Sequence, residues 1–201
     1  MLIPFFIPHA PVVDITQTDS AGDATDTDVY TFSSQDLGAA AVNRIIAVAI
    51  GVAYTTVRTI DSVTIGGITA TVVDCEGTNH RTAVAYASVP TGTTGDIVVD
   101  FSGTAVRCAI VVYRIVDANP TVHDSDAPAG AGDGSRSISI DVPAKGGVIA
   151  SAVSADMTVG SFTAGGVAEL EQASEVDSGV AAGHLNTDLL LSAYAITYSS
   201  C

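Results

Sequence analysis

The sequence predicts an all-β protein: an antiparallel β-sandwich, of jelly-roll or immunoglobulin-like type, with about ten strands and an extended N-terminal arm. Three observations predict this fold. Apolar and polar residues alternate with a period of two, glycine- and proline-containing turns follow at short intervals, and helical periodicity is almost absent. The 201 residues suffice for one large domain with a sizeable core.

Alternation is clearest in two segments. In residues 96–102, Ile97, Val99 and Phe101 share one face while aspartate and serine share the other, and residues 137–142 repeat the pattern. Each segment is typical of a half-buried antiparallel strand. Four further segments are apolar on both faces, which indicates central strands or strands that a partner covers from outside. They are residues 45–50, 83–87, 109–113 and 189–195.

Turn residues separate these strands. Gly66 and Gly67 predict a two-residue hairpin turn, because both can adopt positive φ. Residues 143–147 predict the link between two later strands. Only residues 34–43 could hold a short helical turn, and Gly38 weakens even that expectation.

The predicted organisation is an extended arm and acidic loop at residues 1–28, followed by one sandwich domain at 29–201. A faint echo between residues 63–68 and 162–167 would fit two duplicated sandwiches, but the same hairpin chemistry used twice is the more frequent cause of such an echo, and one domain is the preferred interpretation. The glycine- and proline-containing segment 117–135 is the candidate sub-boundary.

The N-terminal segment is the candidate partner-binding site. It is apolar, and Pro4, Pro8 and Pro11 favour an extended conformation and oppose a signal-peptide helix, for which a basic start is also lacking. Its phenylalanines must pack either on their own sandwich or on a neighbour, and we expect a neighbour. The predicted contact residues are Leu2, Ile3, Phe5, Phe6, Ile7, Val12 and Val13.

The charge balance excludes some partners. With 22 acidic against 7 basic residues the net charge is −15, which opposes binding to nucleic acid or to an anionic membrane. Charged residues are only 14% of the chain. This predicts that a second subunit covers part of the surface, as in a homo-oligomer, although an alanine-rich core beneath a Thr/Ser surface is an equal alternative.

Four aspartates, Asp19, Asp23, Asp26 and Asp28, are the weak candidates for a metal site. Clustered carboxylates suit calcium, but the spacing of a calcium-binding loop is missing. A solvated acidic loop is the preferred interpretation, and no cofactor is predicted.

Three cysteines, Cys75, Cys108 and Cys201, form no metal-binding spacing. A disulfide between Cys75 and Cys108 is possible if adjacent strands bring them together. Buried thiols in a protein folded in reducing cytoplasm are the preferred interpretation.

No pattern indicates catalysis, so we expect a non-enzymatic protein. The histidines are isolated, and neither a nucleophile motif nor a distinctive carboxylate pair is present. They are His9, His80, His123 and His184. The chain lacks tryptophan, and most tyrosines fall within strand patterns as expected core, which disfavours a glycan platform. These are Tyr54, Tyr86, Tyr113, Tyr194 and Tyr198.

The order of strands and turns resembles β-sandwich virion proteins of tailed bacteriophages and prophages over residues 40–155. The segments that carry this resemblance are 43–48, 62–71, 83–93, 95–103 and 107–113. The resemblance implies a decoration, head-fibre or tail-associated protein and carries over no catalytic residue.

From this follows the expected function, a capsid decoration or cement protein of the virion. It would assemble in the host cytoplasm, and the N-terminal arm would contact the major capsid protein. The alternative is an extracellular adhesion or carbohydrate-binding module.

Overall fold

The computed structural model describes residues 12–76, 79–119, 121–126, 136–154, 169–175, 178–187 and 191–198, which form no helix. They form fourteen strands: β1 (Asp14–Asp23), β2 (Thr27–Asp36), β3 (Ile45–Ala53), β4 (Ile60–Ile65), β5 (Ile68–Thr69), β6 (Thr71–Glu76), β7 (His80–Ser88), β8 (Thr94–Ala105), β9 (Arg107–Val116), β10 (Arg136–Val142), β11 (Gly147–Ser154), β12 (Glu169–Glu175), β13 (Ser178–Asn186) and β14 (Leu191–Tyr198).

The strands form four sheets. The central sheet has the order β1-β9-β3-β7-β6, the front sheet β2-β8-β4-β5, the back sheet β11-β13-β12, and β10 and β14 make a two-stranded sheet. Every pairing is antiparallel. The prediction of an all-β antiparallel sandwich is therefore confirmed.

The first core lies between the central and front sheets. Ile97, Val99 and Phe101 of β8 are buried there, with exposed fractions of 0%, 0% and 3%, as their alternation predicts. From the central sheet, alternate residues of β3 and β9 fill the opposite side of this core. These residues are Ile46, Val48, Ile50, Val52, Cys108, Ile110 and Val112.

The other face of the central sheet forms a second core with the back sheet. Ala47, Ala49 and Ala109 lie here beside Val111 and Tyr113, and Ala182 of β13 belongs to the same cluster. Cα atoms of the two sheets lie within 8 Å of one another here, an approach that the short alanine side chains allow. Three of the strands that are apolar on both faces, β3, β7 and β9, are thus covered by their own chain. The side chains of residues 189–195 lie outside the described set.

The back sheet is itself covered on its outer face. Ile149 of β11 packs against the second core, so its neighbours Val148 and Ala150 point the opposite way. Both are nevertheless buried, with 8% and 3% exposed. The strands that follow residues 117–135 therefore add further layers to the first sandwich.

The predicted hairpin turn is confirmed. Gly66 and Gly67 have φ of 58° and 80° and join Ile65 of β4 to Ile68 of β5. Both positive values fit a type I′ turn, which matches the twist of a hairpin. Residues 34–43 contain no helix. β2 continues to Asp36, and the segment ends in a single turn in which the backbone nitrogen of Arg44 donates to the carbonyl oxygen of Ala41 at 3.0 Å.

The predicted acidic loop is wrong for most of its length. Residues Asp14–Asp23 form β1 and pair with β9, and only residues 24–26 connect β1 to β2. Most β1 side chains remain accessible to water because β1 is an outer strand, so its sequence lacks the apolar alternation. Ile15, with 4% exposed, is the residue that fixes β1 to the second core. β1 therefore begins fourteen residues before the predicted boundary at residue 28.

Candidate interaction surfaces

The predicted binding arm ends on the body of its own chain. The backbone nitrogen of Val13 donates to the carbonyl oxygen of Lys145 at 3.0 Å, and its side chain packs against the second core. Val12 is half-buried. Val13 thus contacts its own sandwich, and the neighbour contact expected for it stays a prediction. The other predicted contacts, Leu2, Ile3, Phe5, Phe6 and Ile7, lie outside the described residues.

The turn that receives Val13 connects β10 to β11, as predicted for residues 143–147. Lys145 adopts a positive φ of 64°, and the backbone nitrogen of Gly146 donates to the carbonyl oxygen of Pro143 at 2.8 Å. At Gly147 an added Cβ would lie 2.5 Å from Cδ1 of Ile15. The lack of a side chain there permits the close approach of β1 and β11, which fixes where the arm joins the body.

A buried arginine organises one end of the first sandwich. Arg44 immediately precedes β3 and is 0% exposed. Each of its five guanidinium N–H groups donates to a backbone carbonyl oxygen, so a planar cation is satisfied without any carboxylate. The acceptors, with donor–acceptor distances, are Val89 (2.7 Å), Leu37 (3.1 Å), Gly38 (2.7 Å), Thr91 (2.8 Å) and Gly92 (2.8 Å).

These contacts join two loops, 37–43 and 89–93, into one unit that we call the Arg44 end. Burial lowers the pKa of Arg44, and the charge of Arg114 acts in the same direction. Arg114 also donates to the carbonyl oxygen of Ala39 at 2.9 Å. The same loop presents Val42, which is 92% exposed, to solvent. This role of Arg44 was not predicted from the sequence. The one sequence feature that could have indicated it is the position of Arg44 directly before a strand of apolar residues.

The four weak metal candidates do not form one site. Asp19 lies in β1 and accepts hydrogen bonds from the backbone nitrogens of Ser20 at 2.9 Å and Asp36 at 2.8 Å. Asp23, at the end of β1, accepts from the backbone nitrogen of Thr25 at 2.8 Å. Asp26 lies in the connection and Asp28 in β2. Within the described ranges no group of three or more His, Cys, Asp or Glu side chains could hold a metal ion.

The described histidines occupy three separate environments. His80 begins β7, and burial lowers its pKa, with the charge of Arg107 adding to the effect. His123 is exposed. His184 is buried between the central and back sheets, with its ring 5.7 Å from that of Tyr113 in an edge-to-face arrangement. His9 lies outside the described part of the chain.

The aromatic side chains that the structure describes contribute to the core rather than to a surface platform. Tyr54 and Tyr113 are buried with 3% and 0% exposed, and Tyr86 packs against the second core, as predicted. Tyr30, which was not predicted as core, is also buried, and its hydroxyl donates to the carbonyl oxygen of Thr25 at 2.8 Å. The predictions for Tyr194 and Tyr198 concern side chains outside the described set.

Cys75 lies on strand β6 and Cys108 on strand β9. Two strands, β7 and β3, lie between β6 and β9 in the central sheet. Three strand spacings amount to about 14 Å, twice the Cα separation that a disulfide spans. The alternative of a Cys75–Cys108 disulfide is therefore wrong, and Cys201 lies outside the described residues.

The two thiols are expected to differ in reactivity. Cys108 is 1% exposed, and burial with the charge of Asp23 raises the pKa of its thiol, which keeps it protonated. Cys75 is partly exposed. In a Cys201→Ser background, a thiol reagent should label Cys75 in the native protein and Cys108 only in denaturant. Equal native labelling of both, measured by mass spectrometry of peptides, would contradict this burial.

Among the described residues no helix is long and apolar enough to cross a bilayer. No protein-family model, curated protein or solved structure matches this chain.

Proposed function

We propose that this chain is a non-enzymatic structural protein of a bacteriophage particle, a capsid decoration protein that its N-terminal arm anchors to the major capsid protein. The observation that carries the proposal is the fixed root of the arm. Val13 is held by Lys145 and the second core, so the apolar residues before it start from a defined point on the body.

The arm is the segment whose apolar side chains would gain most from binding to a partner. Leu2, Ile3, Phe5, Phe6 and Ile7 follow one another closely, and burying one large apolar side chain stabilises a complex by about 1.5–3 kcal/mol before the entropic cost of ordering the chain. Three prolines lower the entropic cost of ordering the arm, because they limit the conformations of the free arm. Such a segment suits attachment to an apolar groove on a larger assembly.

The body supports the proposal in a second way. The central strands are covered on both faces within the chain, so the body has two cores of its own and does not depend on a partner for them. Its net charge of −15 favours solubility and opposes association between free copies. A protein that is added to a completed shell needs a soluble body and a separate segment that attaches it. The acidic body and the apolar arm of this chain suit these two roles.

The test is a double variant in the arm, Phe5→Ala with Phe6→Ala, in the phage or prophage that encodes the chain. We expect the number of copies per purified particle to fall at least about tenfold, since two large apolar contacts are lost. The matched control is Val57→Ala, which removes apolar surface from an exposed position on the body and should leave occupancy unchanged.

Quantitative mass spectrometry of purified particles measures the occupancy, and thermal melting checks that both variants remain folded. Normal occupancy of the double variant would overturn arm anchoring. Absence of the wild-type chain from particles, together with binding to a glycan array, would favour the adhesion alternative.

A further inference from the structure

A short acidic segment runs beside β10 and accepts hydrogen bonds from its backbone. The carboxylate of Asp126 accepts from the backbone nitrogen of Ser139 at 3.0 Å, and that of Asp124 accepts from the backbone nitrogen of Asp141 at 2.8 Å. The acceptors descend by two along the chain while the donors ascend by two. The strap, our name for residues 121–126, therefore runs antiparallel to β10, with side-chain oxygens in place of backbone carbonyl oxygens.

The two donors belong to the edge of β10 that faces away from β14. Residues of an antiparallel strand direct their N–H groups alternately to its two edges. Because Ser139 and Asp141 donate to the strap, the N–H groups of Ile138 and Ile140 point to β14. Within the described part of the chain, β14 is the one strand that pairs with β10. The strap thus occupies the position that a further strand would take.

The strap ends the sheet instead of extending it. Its residues are not in a strand, although they lie beside one. A carboxylate accepts hydrogen bonds and donates none, so it satisfies the backbone donors of β10 without presenting a new row of donors beyond itself. Asp124 also uses its other carboxylate oxygen within the strap, where the backbone nitrogen of Ser125 donates to it at 2.8 Å.

The strap and β10 differ in how they are held to the body. Ile140 and Val142 of β10 are buried, with 7% and 2% exposed. Every residue of the strap is exposed to solvent. The strap can therefore separate from β10 without bringing the buried side chains of the strand into contact with water.

We propose that the strap is a removable cover that prevents β10 from pairing with a strand of another chain. An outer strand with unsatisfied N–H groups is a template for such pairing, and a covering loop is one means by which proteins prevent it. The alternate isoleucine and valine residues of β10 favour an extended strand that could accept a new neighbour. This inference goes beyond the proposed function and does not depend on it.

Hydrogen exchange of the full chain tests whether the strap holds this edge. In the double variant Asp124→Ala with Asp126→Ala, the amides of Ser139 and Asp141 should exchange at least about tenfold faster, because their acceptors are removed. The two isoleucine amides of β10, which point to β14, should keep their wild-type rates. Residue-resolved exchange by NMR measures all four. Unchanged exchange of the first pair, or equal acceleration of both pairs, would overturn the proposal.

Self-association tests the protective role. The alanine double variant should aggregate at a protein concentration at least about tenfold lower than the wild type does, measured by light scattering in salt that screens the net charge. The matched control is Asp26→Ala with Asp28→Ala, which removes the same charge at the same spacing from exposed positions. Association no stronger than that of this control would show that the strap does not protect β10.

An asparagine double variant, Asp124→Asn with Asp126→Asn, separates the hydrogen bonds from the charge. The amide oxygen of asparagine can accept the same hydrogen bonds, but bonds to a charged acceptor are about twice as strong. Exchange and association of this variant should therefore lie between those of the wild type and the alanine variant. Thermal melting checks folding. If the alanine variant is unfolded, the asparagine variant decides, and wild-type exchange at Ser139 and Asp141 would then count against the strap.

Discussion

Replacing Arg44 with alanine is expected to lower the free energy of unfolding by about 3–5 kcal/mol, the largest effect of any single substitution considered for this protein. The guanidinium is 0% exposed, and all five of its N–H groups are used by backbone carbonyls. Its removal leaves those carbonyls without their donors in a site that Arg44 itself filled.

A graded series separates hydrogen bonding from charge. Arg44→Lys retains the positive charge but has three donors instead of a planar set of five, so it should recover only part of the loss. The matched control is Arg58→Ala, because Arg58 is half-exposed and its Nε donates to one carbonyl, that of Thr104, at 3.1 Å. That change should cost about 1 kcal/mol or less.

Urea unfolding followed by circular dichroism measures the series. The effect should also be local, with faster hydrogen exchange in loops 37–43 and 89–93 than elsewhere, since Arg44 connects them. A loss equal to that of Arg58→Ala would contradict a role of the buried arginine in stabilising this end of the sandwich.

Enlarging Ala49 is expected to disturb the contact between the central and back sheets, at a cost of about 1–3 kcal/mol. Ala49 is 0% exposed and belongs to the second core, where Cα atoms of the central and back sheets lie within 8 Å of one another. Ala49→Leu adds three carbon atoms to a gap that alanine fills, so the back sheet must move outward or the leucine must adopt a strained rotamer.

The location of the change distinguishes this prediction from general destabilisation. Hydrogen exchange should accelerate in β11 and β13 more than in β8, because β8 lies on the opposite side of the central sheet. The matched control is Ala40→Leu, at an exposed position in loop 37–43, which should change stability by less than about 0.5 kcal/mol. Unchanged exchange in β11 and β13 would contradict the close packing of the two sheets.

Local pattern was sufficient for the fold class and for several elements. Period-two alternation placed Ile97, Val99 and Phe101 in the core, and two adjacent glycines identified the β4–β5 hairpin, because both signals act within a few residues. The acidic segment that forms β1 was missed for a related reason. An outer strand with accessible side chains has little local signal, and its pairing with β9 is made to residues about one hundred positions away.

The sequence by itself determined that this chain is all-β, which strand faces are apolar, and that its acids and histidines form no recognisable motif. Only the tertiary structure decided what covers those faces. The hydroxyl contact of Thr82 with Ser151 at 2.8 Å joins the central and back sheets across sixty-nine positions. The tertiary structure also decided that backbone carbonyls accept the hydrogen bonds of Arg44, that Cys75 and Cys108 are three strands apart, and that β6 is an outer strand. The physical reason is that alternation records whether a side chain avoids water, whereas its partner depends on strand order, which is a property of the whole chain.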